Sequence, residues 1–247
     1  MKIGLLGTGY IGKTLALKLP AAGHDLKIAN SGGPDTIDAE LLANGACAVT
    51  AAEAMTDIEV AIVSIPLKAL PNIRHLMDAL PEGVVVIDTS NYFPGRDGHI
   101  AEIDDGQVEG EWVSAQLGRP IVKAWNTIGW DSLANKGKPE GDPDRITVPV
   151  AGDRQEHRDI AIRLVNDTGF DGYDAGVLAE SWRLQPGAPV YTTDLTHDEM
   201  GPALASTERH RLPKRRELAF ALAMERMGEG VPPDAEWAVK VHRLIFM

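Results

Sequence analysis

Three glycines pose the first chemical question. Gly7, Gly9 and Gly12 stand in a G-x-G-x-x-G spacing, directly after the apolar run Ile3, Leu5 and Leu6. Apolar residues resume behind them at Ile11, Leu15, Leu17 and Leu19. Strand, glycine turn and helix in that order are the context in which a dinucleotide pyrophosphate is held. The first glycine allows a tight turn, the second lets the backbone approach the phosphates, and the third lets the helix pack closely on the strand. The free N–H groups of the first helical turn then face the anion. A glycine-rich turn of a purely structural α/β unit is the alternative.

The second chemical position is the end of the next strand, Asp25–Asn30. NAD-binding proteins of this kind place an acidic residue there, about 20 residues after the glycines, for the ribose hydroxyls. Here Asn30, Ser31, Gly32 and Gly33 follow, and no carboxylate appears until Asp35. Neutral donors and small residues leave room for a 2′-phosphate and remove the charge that would repel it. The pattern favours NADP, with an ordinary Asn-Ser-Gly turn as the other reading.

A catalytic acid or base is harder to find. Lys123 and Asn126 have a spacing used on helices by β-hydroxyacid dehydrogenases, but here they fall on a strand and its tip, where side chains alternate faces. Lys123 therefore reads as a locally paired strand residue. His75 and His197 have no partner identifiable from sequence, and His157 reads as solvated. With one cysteine, Cys47, and no His spacing of ligand type, no metal site is expected. Trp125, Trp130 and Trp182 are either stacking surfaces or core residues. The run Lys214-Arg215-Arg216 reads as a solvated helix face.

The elements that must position these residues alternate. Ile58–Leu67 and Val84–Asp88 are continuous apolar runs, the pattern of parallel strands buried on both faces. Ile121–Ala124 and Ile146–Asp153 add strands, and Gly169–Gly176 a strand edge and turn. Helical patterns cover Ala39–Ala43, Ala51–Met55, Ala69–Leu80, Gln155–Val165 and Leu212–Met227. Thr89–Gly98 and residues 135–145 read as loops, the latter mobile. The alternation predicts an α/β, doubly wound Rossmann fold with a mainly parallel sheet over residues 1–177, and a small, mainly helical region over 178–247. Ligands of such sheets sit beyond the carboxyl ends of strands, so Thr8, Ser31, Ser64 and Asn91 should line one crevice.

Bulk properties narrow the partners. The chain has 247 residues, 44% of them hydrophobic, and a formal net charge of −12. That charge argues against nucleic acid and against an anionic membrane surface. The single cysteine points to a reducing compartment, hence the cytoplasm, and no apolar run is long enough to span a membrane.

The segments NSGGP, IDTSNYFPGRDG, VKAWNTIG, VPVAGD and GFDGYDAGVLAESWR occur in one order. Together they resemble the NADP oxidoreductases of the coenzyme F420-dependent type, over about residues 1–195. The resemblance implies that Gly7, Thr8, Gly9, Tyr10, Ile11 and Gly12 hold the pyrophosphate. It further implies that Asn30 and Ser31 hold the 2′-phosphate, and that Ser64, Ile65 and Pro66 border the ribose and nicotinamide. Ala124 and Asn126 would position the ring. Two departures stand out. Gly32 replaces an Arg common in relatives, which weakens the preference for NADP, and Trp125 replaces a Phe.

The lack of an acid or base suits hydride transfer between NADPH and a deazaflavin (F420) or a flavin, which needs oriented rings more than a proton donor. A reductase of a small carbonyl or imine, and a non-catalytic NADPH-binding module, remain alternatives. The cleft should be formed by Ser64–Pro66, Asn91–Phe93 and Trp125–Thr127 and closed by residues near Ser181–Gln185, with Trp125, Thr127 and Trp182 facing the second substrate. A homodimer is expected because the C-terminal region is too short for a core of its own.

Overall fold

The structure, a computed structural model, describes residues 1–228 and 234–247. Eight strands form one sheet: β1 (Lys2–Leu6), β2 (Asp25–Ala29), β3 (Cys47–Ala48), β4 (Val60–Val63), β5 (Val85–Asp88), β6 (Val122–Lys123), β7 (Thr147–Gly152) and β8 (Asp171–Asp174). Their order is β3-β2-β1-β4-β5-β6-β7-β8, and every pair is parallel except β6 with β7. The chain winds outward from β1 to β3, then returns to place β4 on the other side of β1. That reversal opens a crevice between the tips of β1 and β4, where open α/β sheets bind ligands. The fold is a Rossmann fold, as expected.

The continuous apolar runs are explained by burial on both faces. Val60 and Ile62 enter one core cluster with Leu15 and Ile28, whereas Ala61 and Val63 enter another with Leu67 and Trp112. Several elements are shorter than the apolar pattern suggests. Ile58–Leu67 yields only Val60–Val63, because the chain leaves the sheet through Ser64–Pro66 and coils into a 3-10 turn, Leu67–Ile73. The helix expected at Ala69–Leu80 is confined to Arg74–Asp78, since Pro71 has no N–H to give an α-helix. Ala39–Ala43 is a 3-10 turn, Ala39–Leu42.

Seven longer helices matter for the site: α1 (Tyr10–Ala21), α2 (Glu109–Leu117), α3 (Trp130–Asn135), α4 (Gln155–Asp167), α5 (His197–Ala205), α6 (Leu212–Met227) and α7 (Ala235–Phe246). The bounds of α6 match the expected ones. After the 3-10 turn that ends at Leu184, residues 185–196 are turns and coil, and α5, α6 and α7 follow; residues 229–233 lie outside the described residues. Ser181–Leu184 belong to a 3-10 turn, Leu178–Leu184. Residues 135–145 are held down: the Lys138 N–H donates to the Gly169 carbonyl, and its Nζ pairs with Asp142 and Asp144.

Candidate active site

The glycine loop has the steric signature of a phosphate cradle. Gly7 has φ +102°, and a Cβ there would lie 2.2 Å from the Ser64 carbonyl oxygen. A Cβ on Gly12 would lie 2.0 Å from the Gly7 oxygen, so α1 can approach β1 only with glycine at that position. Gly9 differs, because a Cβ would meet nothing within 4 Å. Its exposed face is open on the side a ligand would approach. Gly9 is also the N-cap of α1; no side chain caps the helix and no acidic residue stands in its first turn. The first-turn N–H groups, from Tyr10 onward, have no intrahelical acceptor. Residues and backbone here fit a pyrophosphate.

Beside this loop the Asn30 turn is organised by its own side chain. Asn30 Oδ1 accepts from the Gly32 N–H at 2.9 Å and from the Thr36 hydroxyl at 3.0 Å, and Nδ2 donates to Thr8 Oγ1 at 3.4 Å. Asn30 therefore shapes the turn, while Ser31 remains exposed and free to contact a ligand. A Cβ on Gly32 would lie 2.5 Å from Thr36 Oγ1. A side chain at this position would therefore require Thr36 to shift.

A cavity of about 530 Å³ begins at Gly9 and continues past the tips of β4, β5 and β6. Ser64, Ile65, Pro66, Asn91, Phe93 and Asn126 line it. The Ser64 hydroxyl accepts from Thr89 Oγ1 at 3.0 Å, tying two tips together. Asn126 is the best-defined polar group. Its Nδ2 donates to Leu184 O at 3.0 Å and Asn91 Oδ1 at 3.2 Å, and its backbone carbonyl accepts from Asn91 Nδ2 at 2.8 Å. Asn126 Oδ1 is buried and has no partner among the described residues. Such an acceptor costs free energy unless a donor arrives.

The residues expected to face a second substrate need correction. Trp125 lines the cavity but is fully buried: its indole Nε1 donates to Thr168 Oγ1 at 3.3 Å, and it packs in the core. Its left-handed backbone, φ +56°, turns the chain at the tip of β6 and presents Asn126 to the cavity. Thr127 is buried away from the cavity, and its carbonyl accepts from the Thr192 N–H. Trp182 lies outside, stacked under the guanidinium groups of Arg183 and Arg209. Ser181–Gln185 do not line the cavity, nor does Ala124, which is buried behind it. Trp130 does line it, paired with Tyr10 at 4.9 Å between ring centroids.

The closing wall is one the sequence reading did not assign. Arg216, Ala219, Phe220 and Ala223 recur along one face of α6, and Ala238, His242 and Phe246 along one face of α7, all lining the cavity. The signal was present as i, i+3, i+4, i+7 spacing, but only tertiary packing says what that face covers. Tyr191 and His242 also line the cavity. Burial raises the Tyr191 pKa and pushes His242 down to about 4. His157, expected to be solvated, is buried, which lowers its pKa as well. Arg216 is 9% exposed and Arg215 is partly buried, so the basic run is not a solvated face beyond Lys214.

Beneath the β5 tip lies a buried ionic cluster. Lys123 Nζ contacts Asp88 Oδ2 and the Ser90 carbonyl, both at 2.5 Å, with Lys123 2% and Asp88 0% exposed. Asp88 also accepts from the Ser90 N–H and hydroxyl. Lys123 is thus locally paired, as its strand position suggested, and does not line the cavity. Glu109 accepts from the Tyr92 N–H nearby, and burial raises its pKa to about 7. Among the described residues there is no group of three or more potential metal ligands.

The family model described as NADP oxidoreductase, coenzyme F420-dependent, matches residues 2–92. The chain is 50% identical over 56 residues to the Escherichia coli (strain K12) protein YjhV, a stretch covering 23% of this chain and 41% of that one. The chain therefore spans less than half the length of that curated relative. The hypothetical protein SMa0349 from Sinorhizobium meliloti aligns with a TM-score of 0.68 at 26% identity, covering 80% of this chain and 96% of that one. A structure from Arthrobacter sp. FB24, described as a candidate F420-dependent NADP reductase, aligns with a TM-score of 0.58 at 18% identity, covering 90% and 94% respectively. At that identity the likeness speaks to fold alone. Residues 2–92, from the glycine loop through the tips of β4 and β5, are the part of the chain that is similar to the NADP oxidoreductase, coenzyme F420-dependent, family.

Proposed function

We propose that the protein is an NADP-dependent oxidoreductase that moves hydride between NADPH and a second redox compound bound under α6 and α7. The observation that carries this reading is the buried, unpartnered Oδ1 of Asn126, a residue lining a cavity that begins at the glycine loop. Gly7, Thr8, Gly9, Tyr10, Ile11 and Gly12 would hold the pyrophosphate, and Asn30, Ser31 and Gly32 the 2′-phosphate end. Ser64, Ile65, Pro66, Asn91 and Asn126 would border the nicotinamide riboside, with Ala124 setting the backbone beneath Asn126. When bound, the nicotinamide supplies the hydride. The chain's own work is to fix orientation and exclude water. Asn126 Oδ1 would accept from a carboxamide, and Phe93, Phe220 and the alanine faces keep the cavity apolar.

A deazaflavin (F420) or flavin is the first choice of second substrate, since aromatic walls suit a planar ring. A small carbonyl or imine is the second reading, favoured by Tyr191. Its phenol lines the cavity and, like any phenol at neutral pH, is protonated and able to donate to a developing alkoxide or amine, whereas burial holds His242 neutral there. A turnover screen with NADPH against deazaflavin, flavin, carbonyl and imine acceptors tests both. NADPH binding without turnover of any acceptor would overturn them in favour of a non-catalytic module.

The same reading places the protein in the cytoplasm as a homodimer. Cys47 as the lone cysteine supports a reducing compartment, and no described helix is long and apolar enough to cross a membrane. Leu218, Leu222 and Met224 on α6, and Leu244 on α7 at 85% exposure, support burial of that face against a second copy. Light scattering at micromolar concentration tests the dimer. The division at residue 177 into a Rossmann part and a helical part is proposed on the same footing.

A further inference from the structure

The cation on the inner face of α6 is unlike the other arginine lining the cavity. Arg96 is satisfied: its guanidinium holds Asp97 at 2.8 Å and the Asn91 carbonyl at 2.6 Å. Arg216 is 9% exposed, yet its Nε is buried with no hydrogen-bond partner. Its one carboxylate contact among the described residues is Glu217 at 3.7 Å, beyond hydrogen-bonding range, and that carboxylate is largely in solvent. The guanidinium is packed against the Tyr92 ring, 5.1 Å from its centroid, and the Glu109 and Asp104 carboxyls feel its charge without hydrogen-bonding it. A buried, preorganised guanidinium with unused donors is costly unless an anion completes it.

The surrounding wall defines the rest of the ligand. One helical turn beyond Arg216, Ala219 and Phe220 line the cavity, and Ala223 follows after another. Small side chains leave a slot, while Phe93 and Phe220, 5.7 Å apart between ring centroids, form an aromatic side to it. We propose that the second substrate is a planar, apolar molecule carrying a carboxylate or equivalent oxyanion, and that Arg216 is the residue that binds this anion. The inference rests on the reading that NADPH occupies the strand-tip end of the same cavity, and it names the chemical class of what binds beside it.

The test uses benzoate as probe and benzamide as its neutral counterpart, titrated calorimetrically into the full chain saturated with NADP. Benzoate binding at least about tenfold tighter than benzamide is expected, the difference a charge-assisted contact makes. Arg216→Met should abolish that preference, and Arg216→Lys should retain part of it. Because Arg216→Met removes a buried side chain, Ala223→Asp provides a second route. It places a like charge in the same slot and should weaken benzoate while sparing benzamide. Equal binding of the two probes to the unaltered protein, or an unchanged preference in a folded Arg216→Met protein, would overturn the proposal. If NADP itself does not bind in the first titration, the functional reading fails. If NADP binds and the probes are not discriminated, only the anion assignment fails.

Discussion

Lys123 offers the sharpest test of how this site is held together. Its ammonium sits 2.5 Å from Asp88 Oδ2, with both residues essentially out of solvent. At an effective dielectric of about 20, unit charges at that separation attract by about 7 kcal/mol, and desolvation of the two ions cancels much of it. Removing one partner is a different matter, because the remaining charge keeps its desolvation cost. Lys123→Met should therefore destabilise the protein by about 3–5 kcal/mol, a large share of a typical stability of about 5–15 kcal/mol. The Ser90 carbonyl loses the same ammonium, so the Thr89–Phe93 segment lining the cavity should loosen too. The double variant Lys123→Met with Asp88→Leu removes both charges and should recover part of the loss, a coupling of about 2 kcal/mol or more. Urea unfolding of the four proteins measures this directly. A single-variant cost below about 1 kcal/mol, or additivity in the double variant, would refute the argument. Lys123→Met that stays folded, binds NADPH normally and yet cannot turn over would make Lys123 an acid catalyst, contrary to its placement outside the cavity.

Three other outcomes can be measured. Ser31→Asp should shift preference from NADPH toward NADH, with a ratio of affinities changed by about tenfold, because it places a carboxylate where the 2′-phosphate is expected; an unchanged ratio would remove Ser31 from the cofactor site. Asn126→Ala should lower turnover by about 10- to 100-fold through misorientation and leave the pH profile alone; a new or lost pH-dependent step would mean that Asn126 supports proton transfer. Glu109 has a native pKa of about 7, above the unfolded carboxyl value, so its contribution to stability is full below the unfolded pKa and is lost as pH rises to 7. Urea midpoints between pH 4.5 and 7.5 should show Glu109→Gln missing about 3 kcal/mol of that decline, and parallel curves for the two proteins would contradict it.

What the sequence determined by itself was local or periodic. The G-x-G-x-x-G spacing placed Gly7, Gly9 and Gly12 at a strand-to-helix turn, since turn sterics act over a few residues. The runs at Ile58–Leu67 and Val84–Asp88 announced buried parallel strands, though not their bounds, and the parallel sheet then put Ser64 and Asn91 near one crevice. The α6 bounds were legible from composition and period alone. Tertiary structure decided the rest, because it depends on which way a side chain points and what returns to meet it. The positive φ of Trp125 sends its indole into the core and turns Asn126 outward, which no spacing rule reveals. Trp182 could be a cleft residue by type, but two arginines cover it on another face. A Lys-Arg-Arg run looks solvated in one dimension. On a helix its members point about 100° apart, and the fold-back of α6 over the strand tips carried Arg216 into the cavity while Lys214 stayed in water.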